Sequence, residues 1–440
     1  VQWAAEQGLP VTARGAATGI NGACLGPGLI VDCSKYLTKI LEVNLEEGYA
    51  LCQPGVIQDQ LNRALAPYSS CLGPDTSTGS RATVGGMLGN NSAGAHSIRY
   101  GKMVDHVLAT DLIMSDGECG HFSEETAESF RKRILLGDRQ SKVYQTLQDH
   151  VRTQEELIQK SFPQIQRRVS GYNLDEMTQD FPINTAKLIV GSEGSFGMST
   201  EIKVKISPKP SSTVLSVMHF KDFFTAFSCL DYILSHNPFS VEMMDDQVLA
   251  MGKKSPSMRG QLDWLKGMPK VLLAVEFDAD TPGEALMKQK LFEKGMKAEV
   301  EAYHYVRMND KRSQAKVWNV RKAGLGLLMS RRTSAKPVAF LEDVAVSPQK
   351  LAPFIGDFEQ YLKAQNKEAG FYGHAGVGCL HVRPILNLKE EAEIDLMYKM
   401  MDDISDVLKS YGGAVSGEHG DGLTRSWLNE KMFGSDVYNL

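Results

Sequence analysis

Short β-type runs separated by glycine-dense loops mark the chain from Pro10 to about Leu108. Leu29–Asp32, 40–43 and 50–52 are such runs. The segment NLEEG (44–48) joins two of them and predicts a hairpin connection with Gly48 at positive φ. From 124 to 181 the pattern becomes charged, helical and glycine-poor, which predicts a helical insertion over about 124–185. The chain then returns to an apolar run at 187–190 and alternates as a strand over 202–206. PKPSS at 208–212 is the best linker candidate, so a domain boundary is placed there, giving domains 1–208 and 209–440. In the second half 271–275 reads as a strand. Ile394, Met397, Met401, Ile404 and Leu408 recur at spacings of three and four, an amphipathic helix ending near Tyr411 and Gly412.

With 42% hydrophobic and 23% charged residues, the 440-residue chain has the composition of a globular protein large enough for more than one core. A net charge of -5 argues against a nucleic-acid footprint or a polybasic membrane patch. The seven cysteines, Cys24, Cys33, Cys52, Cys71, Cys119, Cys229 and Cys379, never form a CxxC pair, which fits a reducing, cytoplasmic compartment. No apolar run is long enough to span a bilayer. Val1 is not an initiator methionine, and residues 1–8 read as the tail of a helix stopped by glycine, so an upstream element is expected to be missing.

The loop ARGAATGINGA (13–23) has no bulky side chain over 15–17, so backbone amides can approach a phosphate closely, with Arg14 or Thr18 adding donors. Taken singly it is a glycine turn as readily as an anion nest. Neither the Rossmann nor the Walker spacing occurs, which removes the main support for nicotinamide and nucleoside-triphosphate readings. Further loops follow at GPDTSTG (73–79) with TVGGMLGNNSAG (83–94), and at GSEGSFG (191–197). Near the other end GHAGVGCLHVR (373–383) and SGEHGDGLTRS (416–426) hold three of the ten histidines. Two imidazoles and a carboxylate suit Zn²⁺, Mn²⁺ or Fe²⁺. By spacing alone, satisfied structural histidines are the competing reading.

RGAATGINGA, GPDTSTGSRATVGGMLGNNSAG and VGSEGSFGMSTE resemble the flavin-binding stretches of the FAD-binding PCMH-type oxidoreductases, the family of vanillyl-alcohol oxidase and the D-lactate, glycolate and D-2-hydroxyglutarate dehydrogenases. The resemblance implies an α+β fold: a two-subdomain FAD-binding domain followed by an α+β cap with an antiparallel sheet. It implies FAD contacts from Arg14, Gly15, Ala16, Ala17, Thr18, Gly19 and Asn21 in the first loop. In the second they come from Pro74, Asp75, Thr78, Gly85, Gly86, Asn90, Asn91 and Gly94, and in the third from Glu193, Gly194 and Gly197. Thr18 stands where covalent members often carry the attachment histidine, so FAD is expected to bind non-covalently.

GHAGVGCLH and SGEHGDG likewise resemble the motifs of the family's metal-dependent D-2-hydroxy acid dehydrogenases. They imply His374, His381 and Glu418 as ligands of a divalent metal, Zn²⁺ first with Mn²⁺ or Fe²⁺ as alternatives, and His419 as the catalytic base. The reaction implied is oxidation of a D-2-hydroxy acid of the D-lactate or D-2-hydroxyglutarate class, with hydride passing to flavin N5. Arg383 and Arg425, which flank these motifs, are the first choices for the substrate carboxylate, Arg321 matches by resemblance an arginine that binds substrate in relatives, and Lys336 is a weaker candidate. Glu342 and Asp343 are either supports for the histidines or a strand-end pair facing water. Cys379 replaces the asparagine of many members. It points with neighbouring residues to the bacterial subfamily fused to a C-terminal iron-sulphur half, so the natural chain is expected to continue past Leu440. The electron acceptor is then an iron-sulphur domain or subunit, a quinone or a flavoprotein. Homo-oligomerisation and peripheral contact with the inner membrane stay open. The competing functions are a non-catalytic electron-carrying flavin subunit and a non-redox flavoenzyme such as the ether-lipid synthase branch.

Overall fold

The alternation around Ile202 and Val204 becomes the spine of the first sheet. The structure, a computed structural model, describes residues 1–300 and 302–440. Gly197–Pro208 is flanked on one side by Tyr49–Cys52 and then Ile40–Asn44, on the other by Val107–Met114 and then Cys119–Phe122, while Ser70–Leu72 pairs with its far end. Ile202 and Val204 are fully buried and Lys205 is exposed, as strand periodicity demands. The expected hairpin forms between Asn44 and Tyr49 with Gly48 at φ 73°, a conformation that costs glycine nothing. A separate parallel pair, Val11–Arg14 with Leu29–Asp32, carries the first glycine loop between its strands.

The charged stretch folds as helices Ala127–Ile134, Arg139–Thr146 and Glu155–Ser161. It opens and closes on a strand pair, Glu124–Glu125 with Ile183–Asn184. Its non-helical portion, 162–173, runs beneath the C-terminal motif, where Val169 N donates to Ser416 O at 3.0 Å.

The second half is built on an eight-stranded antiparallel sheet. Val271–Ala279 lies between Ser212–Phe220 and Ser240–Asp245, and the sheet continues through Ala369–His374 to Cys379–Leu386. Residues 271–275 read as a continuous apolar run rather than an alternating one because both faces are covered. Leu273 and Val275 join one core with the helix Leu351–Ala364, and Leu272 and Ala274 join another with Lys311–Met329. The expected amphipathic helix is Glu391–Ser410, burying Met400, Met401, Ile404 and Leu408. Ile394 is 37% exposed, because the first turn overhangs the core. The mixed helix and antiparallel-sheet architecture is the α+β class expected. Among the described residues no helix is long and apolar enough to cross a membrane, and all seven cysteines are free.

Candidate active site

The glycine loops line one cavity of about 1130 Å³. Thr83 caps Val84–Asn90, its Oγ1 accepting from Gly86 N at 3.3 Å, and so turns the helix N-terminus toward the cavity. A Cβ on Gly94 would fall 2.0 Å from Asp75 O, so that glycine lets two strands of the second loop touch. At Gly86 a Cβ would meet only Thr83 Oγ1, at 3.2 Å, and at Gly194 nothing within 4 Å. Both glycines line the cavity, so the volume a side chain would fill is that of a ligand approaching the backbone. The donor set fits a pyrophosphate-bearing cofactor such as FAD. Of the cofactor residues inferred from sequence, all but Pro74 and Asn91 line the cavity. Pro74 O instead accepts from the Gln58 side chain, and Asn91 Oδ1 accepts from Val104 N at 2.9 Å. Glu193 lines the cavity while its carboxylate accepts from the N–H groups of Asp421 and Gly422, tying the third loop to the C-terminal motif. Asn21 makes the matching tie, Nδ2 to Gly420 O at 2.5 Å.

Opposite this cradle the hairpin of Ala369–His374 and Cys379–Leu386 presents both histidines of the GHAGVGCLH motif. Gly378 turns it at φ 68°, where a Cβ would lie 1.8 Å from Val346 O. The two imidazoles stand 5.3 Å apart between ring centroids. Glu418 enters from the 416–422 loop. Its Oε2 lies 3.2 Å from His374 Nε2, and its Oε1 lies 3.3 Å from His381 Nε2 and 3.0 Å from His419 Nε2. Ligand atoms of His374, His381 and Glu418 all fall within 4.8 Å of one another. Two neutral imidazoles and a carboxylate at that spacing fit a divalent cation.

Each imidazole is backed at Nδ1 by a buried carboxylate. Glu242 Oε1 hydrogen-bonds His374 at 2.7 Å, Glu342 Oε1 lies 3.0 Å from His381, and Asp343 Oδ1 lies 3.2 Å from His419. Glu342 and Asp343 are 1% and 0% exposed, which rules out the strand end facing water. Each of these carboxylates also holds an arginine: Glu242 takes Arg321 Nε at 2.7 Å, Glu342 takes Arg383 Nη2 at 2.6 Å, and Asp343 takes Arg425 Nη1 at 2.5 Å. Arg321 and Arg383 line the cavity, and Arg425, fully buried, does not. Lys336 bonds Arg331 O and also lies off the cavity.

Burial opposes charge throughout this cluster, and the partners decide the outcome. His374 and Arg167 hold the Glu418 carboxyl well below its ordinary range despite that burial. Burial disfavours charge on His419 too, yet Asp343 and Glu418 lift its pKa to about 10. At His381 burial prevails and the pKa falls.

Three participants escaped the sequence reading. Arg167, from the inserted segment, is fully buried and donates to Glu418 Oε2 at 3.0 Å and to Gly94 O at 2.9 Å. Glu242 sits mid-strand in Ser240–Asp245, where a carboxylate between apolar neighbours was the available signal. His96 lines the cavity with both ring nitrogens engaged, Nδ1 by Asp75 at 2.5 Å and Nε2 by Glu276 at 2.7 Å.

Residues 209–440 match the family described as FAD linked oxidases, C-terminal domain, and residues 1–123 match FAD binding domain. The chain is 33% identical over 433 residues to D-2-hydroxyglutarate dehydrogenase of Pseudomonas putida, covering 96% of this chain and 43% of that protein. It is 32% identical to D-2-hydroxyglutarate dehydrogenase of Haemophilus influenzae, covering 98% of this chain and again 43% of the relative. The chain thus spans less than half the length of these curated relatives. Among solved structures, p-cresol methylhydroxylase superposes with a TM-score of 0.63 at 13% identity, covering 94% of this chain and 78% of that one, a likeness of fold.

Proposed function

The chain belongs to the FAD-linked oxidases, and from that premise we propose that it is an FAD- and divalent-metal-dependent dehydrogenase that oxidises a D-2-hydroxy acid of the D-lactate or D-2-hydroxyglutarate class to the 2-oxo acid. The observation that carries the proposal is the convergence of His374, His381 and His419 Nε2 on Glu418 beside the cavity lined by the glycine loops. The relatives named D-2-hydroxyglutarate dehydrogenase support the substrate class.

His374, His381 and Glu418 would hold the cation, and the three glycine loops the FAD, without a covalent bond because the first loop offers Thr18 and no histidine. When bound, FAD supplies at N5 an acceptor for the hydride, and the cation supplies a Lewis acid for the 2-hydroxyl. The substrate's hydroxyl proton goes to His419 Nε2, which is a base only when neutral. Asp343 first and Glu418 second hold the proton on His419, so engagement of Glu418 elsewhere weakens that hold while Asp343 keeps its share. Arg321 is the foremost seat for the substrate carboxylate, since its Nη atoms make no hydrogen bond among the described residues. Arg383 is the second. Arg425 acts through Asp343, which it holds. Arg167, Arg321, Arg383 and Arg425 offset Glu242, Glu342, Asp343 and Glu418, so a cation leaves a positive excess that an anionic substrate neutralises. The two electrons leave to an iron-sulphur domain or subunit, a quinone or another flavoprotein.

The test is anaerobic mixing of FAD-loaded protein with D- and L-2-hydroxy acids while flavin bleaching is followed. EDTA should stop bleaching with FAD still bound, and Zn²⁺ or Mn²⁺ should restore it. Glu418→Gln should lose the metal, and His419→Ala should keep it and lose most of the rate. A native protein that binds no divalent metal stoichiometrically overturns the proposal and favours an electron-carrying flavin subunit.

A further inference from the structure

Ser240–Asp245 is buried from end to end, and Glu242, 1% exposed, is the charged residue at its centre. The strand pairs with Ala369–His374 through Met243 and Gly373, which sets Glu242 beside His374. On the same side the helix Lys311–Met329 delivers Arg321. The two carboxylate oxygens divide between these neighbours: Oε1 accepts from His374 Nδ1 and Oε2 from Arg321 Nε, each at 2.7 Å.

That division differs from the two parallel arrangements nearby. Glu342 and Asp343 approach their imidazoles at ion-pair distance, with no aligned hydrogen bond to either Nδ1. Their arginines are 2% and 0% exposed, and Arg383 gives its Nε to Tyr372 at 3.1 Å. Arg321 keeps its Nη donors unspent among the described residues, with its guanidinium 4.9 Å from the Tyr372 ring centroid at the cavity wall. Glu242 is therefore the carboxylate with an aligned hydrogen bond on both arms and an arginine still able to take a ligand.

We propose that Glu242 is a positioning residue shared by the metal seat and the substrate seat, fixing the His374 ring so that Nε2 faces the cation and fixing Arg321 so that its Nη face meets the substrate carboxylate. The proposal rests on the reading of His374 as a ligand and of Arg321 as the carboxylate seat. A carboxylate behind a ligating histidine orients the ring and raises its basicity. A guanidinium fixed at Nε presents its remaining donors as a preorganised fork. One side chain serving both seats means that one substitution should disturb both, which a residue serving packing alone would not do.

The experiment uses the full FAD-loaded chain, with Zn²⁺ titrated into metal-free protein in the absence of substrate and KM measured with D-2-hydroxyglutarate at saturating Zn²⁺. Glu242→Gln is expected to weaken zinc binding about 10–100-fold and to raise KM about tenfold, with kcat changed less than KM. Arg321→Met is expected to raise KM while zinc affinity stays within about twofold, and the double variant should show a KM no higher than Arg321→Met alone. Should Glu242→Gln not fold, Glu242→Asp serves, since a carboxylate withdrawn by one methylene cannot span both partners and the joint loss should persist at smaller size. Native zinc affinity with native KM in a folded variant, a shift in only one of the two, or additive KM effects in the double variant overturns the proposal. If the native chain itself takes up no zinc and reduces no flavin, the dehydrogenase reading has failed and this proposal falls with it, an outcome visible before any variant is made.

Discussion

Asp343 holds the backbone of Glu418: its Oδ2 accepts the Glu418 N–H at 2.8 Å and, from the same oxygen, those of Gly417 and His419 at 2.9 Å. Arg425 secures the other oxygen. Asp343 itself sits at φ 55°, unusual for a residue with a side chain. The conformation of the whole 416–419 turn thus depends on one buried carboxylate, and Asp343→Asn should cost on the order of 3–5 kcal/mol, the range for breaking a buried charge network. Although burial works against its charge, Arg425 and His419 hold the Asp343 carboxyl well below its ordinary value of 3.8. Its stabilisation is therefore complete above that value and is lost as pH falls below it. Denaturant titrations between pH 7 and 3 should show a steep loss below about pH 4 in the native chain and a shallower one in Asp343→Asn. An unchanged slope would refute the assignment.

The glycines of the cradle should separate folding from cofactor binding. Gly86→Val meets only Thr83 Oγ1, which must yield slightly, and otherwise points into the cavity, so it should lower the thermal midpoint far less than Gly94→Ala while abolishing FAD uptake. Gly94→Ala drives a Cβ into Asp75 O, which is backbone and cannot step aside, so it should unfold or strongly destabilise the chain. Equal thermal midpoints for the two variants, or full FAD occupancy in Gly86→Val, would contradict this division.

Arg167→Met removes the guanidinium that compensates Glu418 and should cost the metal-free chain about 3–5 kcal/mol. The penalty should shrink when Zn²⁺ is present, because the cation supplies the missing charge. By linkage, zinc should bind Arg167→Met more tightly than the native chain. Thermal unfolding with and without zinc reads both effects, and weaker zinc binding by the variant would sink the argument.

Off the cavity, His219 is fully buried against Trp264, Tyr303 and His304. Burial first, and then His304, lower its pKa from 6.5 to about 4. A histidine kept neutral in the fold binds its proton more readily once unfolded, so the native state is undisturbed above pH 6.5 and loses stability as pH falls from there to 4, by on the order of 3 kcal/mol. His219→Gln should flatten the stability profile over that window, the lost ring packing lowering stability by the same amount at every pH. A profile as steep as the native one would assign the acid sensitivity elsewhere.

Much of this site was legible as short motifs because its chemistry needs particular side chains at close spacing. Gly86 and Gly194 must be glycine for a ligand to reach the backbone, and His374 and His381 must flank a tight turn, so both leave local patterns. Partnership across the chain leaves none. Arg425 and Arg383 look alike as arginines beside a motif. Only the fold shows that Arg425 is held by Asp343, 82 residues earlier, and lies off the cavity of the glycine loops. Arg167 was hidden for the same reason, since its meaning comes from Glu418, 251 residues away. Ile394 shows the limit of periodicity: its spacing is right, but helix periodicity does not reveal where the neighbouring layer stops.

The tie between Asn21 and Gly420 joins residues 399 apart. On a ribosome adding about 5–20 residues per second, roughly 20–80 s separate the appearance of the two ends of that bond. Throughout that interval the first glycine loop has been synthesised while the segment it ties to does not yet exist. The bond can therefore form only after Gly420 has cleared the exit tunnel, which makes this tie a late event in the folding of the chain.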